Sequence, residues 1–153
     1  MSTTAKTVEI INDLILINND RIEGYERALK ELEEGSGDTD LQPYFLRFID
    51  ESRQFKIQLG TEVEVLGKDM EQGTTAGGSI HRAWIAVKET FTGHSRKSIL
   101  EECEFGEDAI KKAYESAMEE EDLPAYIIDI LDNQYEMILE AHDSIKELRD
   151  SVA

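Results

Sequence analysis

Four stretches of this chain carry apolar residues at alternating three- and four-residue steps, and a polar residue interrupts each stripe near its middle. The first stripe is Ile11, Leu14, Asn18, Ile22, Tyr25, Ala28 and Leu32, and the second is Tyr44, Phe48, Glu51, Phe55, Leu59, Glu62 and Leu66, flanked by Phe45 and Val63. The third is Leu100, Cys103, Glu107, Ile110, Tyr114 and Ala117, and the fourth is Ile127, Leu131, Gln134, Ile138, His142, Ile145 and Leu148. This period puts one face of an α-helix against a core. Four such helices can hide their apolar faces by packing on one another, so the chain is expected to be an all-α four-helix bundle. Asn18, Glu51, Glu107 and Gln134 then fall at its centre.

The punctuation between stripes gives the topology. The first helix is expected from about residue 4 to 34, ended by Gly35-Ser36-Gly37-Asp38, because glycine is the usual residue past a helix terminus. Thr39 is read as the cap of a second helix reaching Leu66, and Ser95 as the cap of the third. Asp122 and Pro124 open the fourth, where early amides have no intrahelical partner and proline is tolerated. The short joins make two antiparallel hairpins. A long crossover, about residues 67–94, joins them and lets the second and third helices run parallel. Its second part, IHRAWIAVKETF, has helical spacing through Ile80, Trp84, Val87 and Phe91, so a short extra helix is expected outside the main bundle. Trp84 is expected to close one end of the core, with a subunit contact as the alternative reading. The whole chain, 1–153, is read as one domain, long enough to bury a core without disulfides or a structural metal. Asn18 precedes Tyr25 by two helical turns, and Glu107 precedes Tyr114 by the same step, which suggests a weak internal repeat.

Charge narrows the partners. A formal net charge of -18, from 34 acidic against 16 basic residues, repels nucleic-acid phosphates and anionic lipid headgroups, so neither is an expected partner. No run of about 18 apolar residues spans a bilayer, and the N-terminal apolar run is interrupted by Asn12 and Asp13, unlike an export signal. The single cysteine, Cys103, forms no intrachain disulfide and fits a reducing compartment. A cytoplasmic protein is the expectation. Cys103 reads as a small buried hydrophobe. His81 and His94 flank the crossover without forming a motif, and Gly73 to Gly78 lacks the ending and preceding strand of a phosphate loop. The run Glu119-Glu120-Glu121-Asp122 reads as a solvated turn.

INDLILINNDRIEGYERA, FIDESRQF, TTAGGSIHRAW, ILEECEFGEDAIKKAYESAM and ILDNQYEMILEAHDSIKELRD together resemble an uncharacterised bacterial family of ferritin-like four-helix-bundle proteins. That resemblance implies a ferritin-like fold and no established activity. A more distant similarity, to bacterioferritin and rubrerythrin, implies a di-iron centre with Glu on the first and third helices and Glu-x-x-His on the second and fourth. Matched residue by residue, the first ligand falls on Asn18, the second pair on Glu51 and Gln54, and the third on Glu107 or Glu104. The fourth pair falls on Gln134 and Met137 or, in another register, on Leu139 and His142. Neutral amides offer an oxygen without the negative charge that offsets two dications. Tight di-iron binding is therefore not expected.

If an ion binds, iron or manganese on Glu51, Glu104, Glu107 and His142 is the candidate set; otherwise His142 is a rim or core histidine. Arg21 follows Asn18 by three residues on the same helix face, where the bacterioferritin pattern has alanine. Two readings stand: it reaches inward to Glu51 and Glu107, or it runs along the bundle edge to solvent. Asn18, Arg21, Gln54 and Gln134 are the expected bundle-centre polar residues. The leading functional expectation is a non-catalytic bundle with a degraded di-metal site and no cofactor. It would act as an interaction or stress-associated protein, as a homo-oligomer with a dimer favoured or with a protein partner. The alternative is a ferritin-like metal-binding protein or oxidoreductase using Glu51, Glu104 and Glu107.

Overall fold

A computed structural model describes residues 3–33, 39–67, 95–121 and 123–152. Four helices account for nearly all of them: α1 (Thr3–Glu31), α2 (Gln42–Val65), α3 (Arg96–Met118) and α4 (Ala125–Asp150). No strand occurs among the described residues. The expected turn at Gly35 to Asp38, Asp122, and the crossover features at Gly73 to Gly78, Ile80, His81, Trp84, Val87, Phe91 and His94 lie outside the described residues.

The helix ends follow local chemistry. Ser95 caps α3 as expected, its Oγ accepting from the Ser98 amide at 3.2 Å. Thr39 does not cap α2. Residues Thr39–Leu41 form one 3-10 turn, the cap position is Leu41 without a side-chain bond, and Pro43 falls in the first helical turn. Burial explains the difference, because the turn carries Leu41 into the core. Pro124 occupies the position before α4, its carbonyl accepting from the amides of Ile127 and Ile128, each at 3.1 Å. Past α2, Gly67 adopts φ +80°, and its amide donates to the Glu64 carbonyl at 2.9 Å. That left-handed conformation is the one glycine supplies at helix ends.

The apolar core is split in two along the bundle. One cluster takes the first half of α1 (Ile11, Leu14, Ile15), the second halves of α2 (Phe55, Leu59, Val63) and α3 (Ile110, Tyr114), and the first half of α4 (Ile127, Leu131). The other takes the second half of α1 (Tyr25, Ala28, Leu32), the first halves of α2 (Phe45, Phe48) and α3 (Ile99, Leu100, Cys103), and the second half of α4 (Ala141, Ile145). Helices α1 and α4 therefore run one way, and α2 and α3 the other. Each fully buried large apolar side chain contributes about 1.5–3 kcal/mol, so both clusters anchor all four helices.

Inward faces follow a coiled-coil-like alternation, which corrects several stripe positions. In α1 Ile22 is buried in the second cluster as its stripe expects, and Arg21 beside it is buried as well. In α2 Phe45, Ser52 and Val63 are buried, whereas Tyr44, Glu62 and Leu66 lie half-buried at the edges. In α4 Ala141, and not His142, faces the core, leaving His142 half-buried beside α3.

Candidate functional site

Between the two apolar clusters lies a layer of buried polar side chains: Asn18, Arg21, Glu51, Ser52, Glu107 and Gln134. Asn18, Arg21 and Tyr25 share one face of α1, since residues three, four and seven apart lie along one side of a helix. Glu51 and Ser52 come from α2, Glu107 and Tyr114 from α3, and Gln134 from α4.

Arg21 is fully buried and points to the bundle centre. A guanidinium has five N–H donors in a fixed plane, and here each has an acceptor. Nε donates to Glu107 Oε1 at 2.8 Å, and Nη2 donates to Glu107 Oε2 at 3.4 Å and to Glu51 Oε1 at 3.3 Å. Nη1 donates to Ser52 Oγ at 3.1 Å and to the Phe48 carbonyl at 3.4 Å. Its Cζ also lies 5.7 Å from the Tyr25 ring centroid and 5.6 Å from that of Phe48, within cation–π range. An ion pair this dry is costly to desolvate, and it stands only where the remaining donors and lone pairs are also engaged. Of the two sequence readings of Arg21, the structure has the inward one.

The charges do not cancel inside. One guanidinium faces two carboxylates, and the balance is met at the rim, where Arg47 Nε approaches Glu51 Oε2 at 3.6 Å. The protonation equilibria follow. Burial, the largest single influence, would lower the Arg21 pKa, but the negative charges and hydrogen bonds around it, Glu107 foremost with Tyr25 and Glu51, together outweigh it and keep the guanidinium ionised. Burial raises the Glu51 carboxyl above its ordinary value, and the opposing attraction to Arg21 only partly offsets this. The Tyr25 hydroxyl donates to Glu107 Oε1 at 2.7 Å, and burial together with that neighbouring negative charge pushes its pKa well up. Burial likewise raises Tyr114.

A one-way hydrogen-bond chain leads out from the guanidinium. Ser52 Oγ accepts from Arg21 and donates to Asn18 Oδ1 at 2.8 Å, and Asn18 Nδ2 donates to the Tyr114 hydroxyl at 2.9 Å. Tyr114 donates to Gln134 Oε1 at 2.7 Å, and Gln134 Nε2 donates to Gln58 Oε1 at 2.8 Å on α2. The sequence repeat has a counterpart here. Tyr25, two turns after Asn18 on α1, bonds Glu107, and Tyr114, two turns after Glu107 on α3, is bonded by Asn18. Amides interrupt the hydroxyls along this chain, and its last step joins two amides. An amide N–H does not pass a proton on, so the chain fixes polarity and carries no proton relay. The Ser52 and Tyr114 hydroxyls donate to amide oxygens, which are not bases, and the carboxylate that accepts from Tyr25, Glu107, is already paired with Arg21.

Two carboxylates named as metal candidates, Glu51 and Glu107, do meet, but around Arg21. The other two members of that set are elsewhere. Glu104 is bound by Arg149 across α3 and α4. His142 Nε2 lies 2.7 Å from Asp108 Oδ1, and its Nδ1 lies 3.3 Å from Asp143 Oδ1. Gln54, expected at the bundle centre, is exposed. Glu51 lies at one edge of the inward face of α2, and a further step of three residues, at about 100° each, turns away from the core; Ser52 occupies the interior position instead. Met137, the other histidine position, is 41% exposed. Among the described residues no group of three or more His, Cys, Asp or Glu side chains converges to hold an ion. The residues present do not fit a two-metal centre.

Cys103 is buried in the second apolar cluster, and desolvation pushes its thiol pKa well up, the opposite of a reactive thiolate. No helix among the described residues is long and apolar enough to cross a membrane.

Sequence reasoning missed Ser52 and the tyrosine partnerships. Ser52 was findable, since Phe45, Phe48, Ser52, Phe55 and Leu59 keep the three-four alternation that Glu51 breaks. No curated protein matches the sequence. Residues 6–120, comprising α2, α3 and all but the start of α1, match the family described as Domain of unknown function (DUF2383), and the chain belongs to that family.

Proposed function

We propose that this chain is a ferritin-like bundle that works without a metal pair, as a non-catalytic interaction or stress-associated protein of the cytoplasm. The observation that carries the reading is Arg21, whose five donors are all engaged and whose charge lies between Glu51 and Glu107. The parallel run of α2 and α3 supports the ferritin-like connection. With its interior closed by hydrogen bonds, the protein acts through its surface, as a homo-oligomer, with a dimer favoured, or with a protein partner. Its net charge of -18 disfavours nucleic acid and anionic membranes.

Elemental analysis of protein purified after growth with added iron and manganese tests the metal-free half. Fewer than one tightly held ion per chain is expected. Two irons per chain, lost on Glu51→Ala, would support the alternative instead, a ferritin-like metal protein or oxidoreductase using Glu51, Glu104 and Glu107. Light scattering of the purified chain tests the oligomer, and a monomer that captures no partner would count against the interaction role.

A further inference from the structure

We infer that the centre of the bundle is an internal cation site whose cation is supplied by the chain, and that shortening residue 21 turns it into a site for one divalent ion. This rests on the metal-free reading of the native protein. The observation behind it is convergence. Glu51 from α2 and Glu107 from α3 both direct an oxygen at Arg21 Nη2, at 3.3 and 3.4 Å, and Glu107 adds its second oxygen at Nε, at 2.8 Å. Ser52 Oγ stands at 3.1 Å from Nη1 as a neutral oxygen on the same side. All four oxygens are hard donors, the type that Mn2+ or Mg2+ takes with several waters retained.

Charge fits a dication better than the native occupant. Two carboxylates balance one divalent ion, whereas the guanidinium leaves one negative charge for Arg47 to meet at the rim. A second ion is not supported, because among the described residues the other side chains of the layer, Asn18, Gln134, Tyr25 and Tyr114, are uncharged. Oxygens lying about 3 Å from the guanidinium nitrogens are too far apart for direct ion contact at about 2.0–2.6 Å. The carboxylates must close in or reach the ion through water, and removal of the Arg21 side chain leaves room for both.

The test compares native protein with Arg21→Ala, Arg21→Ala/Glu107→Gln and Arg21→Met, using Mn2+ as the probe. Bound Mn2+ is read by loss of its free electron paramagnetic signal, and thermal stability by circular dichroism. Arg21→Ala is expected to bind one Mn2+ per chain beyond the loose surface binding shared by all variants, and to regain at least half of its lost melting temperature. Arg21→Ala/Glu107→Gln and Arg21→Met, which lack a carboxylate or fill the space, are expected to do neither. If Arg21→Ala folds only when refolded with Mn2+, that recovery is itself the expected result. An Arg21→Ala protein with no excess Mn2+ and the same melt with or without it overturns the inference, as does one that stays unfolded in Mn2+. Native protein that binds Mn2+ and loses it on Glu107→Gln overturns the metal-free reading on which the inference rests.

Discussion

Replacing Arg21 with methionine keeps most of the side-chain volume and removes the charge and all five donors. Glu107 has no exposed side-chain surface, and among the described residues the Tyr25 hydroxyl then remains as its bonded partner. Glu51 retains Arg47 at 3.6 Å, a longer contact at the rim. Removing one partner of a buried ion pair typically costs about 3–5 kcal/mol, because the other charge is left in a dry site. Set against a total stability of about 5–15 kcal/mol, that is a large share. At about 2–4 °C per kcal/mol for a chain of this size, it predicts a fall in melting temperature of about 6–20 °C. Adding Glu51→Gln and Glu107→Gln removes the uncompensated charge and should recover much of the loss, since an amide at 107 still accepts from Tyr25. Urea melts of native protein, Arg21→Met, the Glu51→Gln/Glu107→Gln double variant and the triple variant measure this directly. An Arg21→Met change within the ±0.5 kcal/mol usual for surface sites would show that no buried charge is left unpaired, and so would a triple variant no better than the single.

Glu51 has a raised folded pKa, so its contribution to stability is present below its ordinary value of 4.5 and is lost as pH rises through the folded value. Glu51→Gln should therefore flatten the fall in stability from about pH 4.5 towards neutrality; equal slopes in urea melts across that range would count against the burial argument. Tyr25 and Tyr114 are raised above 10, and Tyr135, which donates to Glu115, is pushed up to about 12. Near pH 11 the native protein should show less phenolate absorbance than the urea-unfolded chain, and matching spectra would contradict the buried network. Cys103 should react with a thiol reagent only as fast as the bundle opens, so urea should accelerate labelling steeply. Gly67→Ala should cost about 1–2 kcal/mol from the left-handed backbone, since no atom of the described residues lies within 4 Å of an added Cβ; a neutral change would mean the turn readjusts freely.

Much of this fold was legible because helical period and helix punctuation are local properties. Ser95 behaved as a cap, and the four stripes became four helices whose directions make α2 and α3 parallel. The errors came where periodicity alone cannot choose between neighbours on a helix face. Tyr44 against Phe45, Glu62 against Val63 and His142 against Ala141 each differ by one step, and the packing partner decides which one turns inward. Thr39 failed as a cap because burying the adjacent Leu41 reshaped the entry into α2. The polar layer was visible residue by residue, but its wiring was not. That Tyr25 reaches Glu107 while Asn18 reaches Tyr114 depends on α1 and α3 lying side by side in opposite directions, which no single stripe encodes. The fourth helix shows the same limit: it lies beyond the family match at residue 120, yet supplies Gln134 to the layer and Ile138 to the core.

A guanidinium fills the centre of this bundle, between two carboxylates, and a crystal structure of the native protein grown with iron and manganese checks that placement. Data collected at the metal absorption edges are expected to show Arg21 between Glu51 and Glu107 with no anomalous peak in the interior. An anomalous peak bridging those two carboxylates, with Arg21 turned out towards solvent, would show a metal and not the guanidinium at the centre.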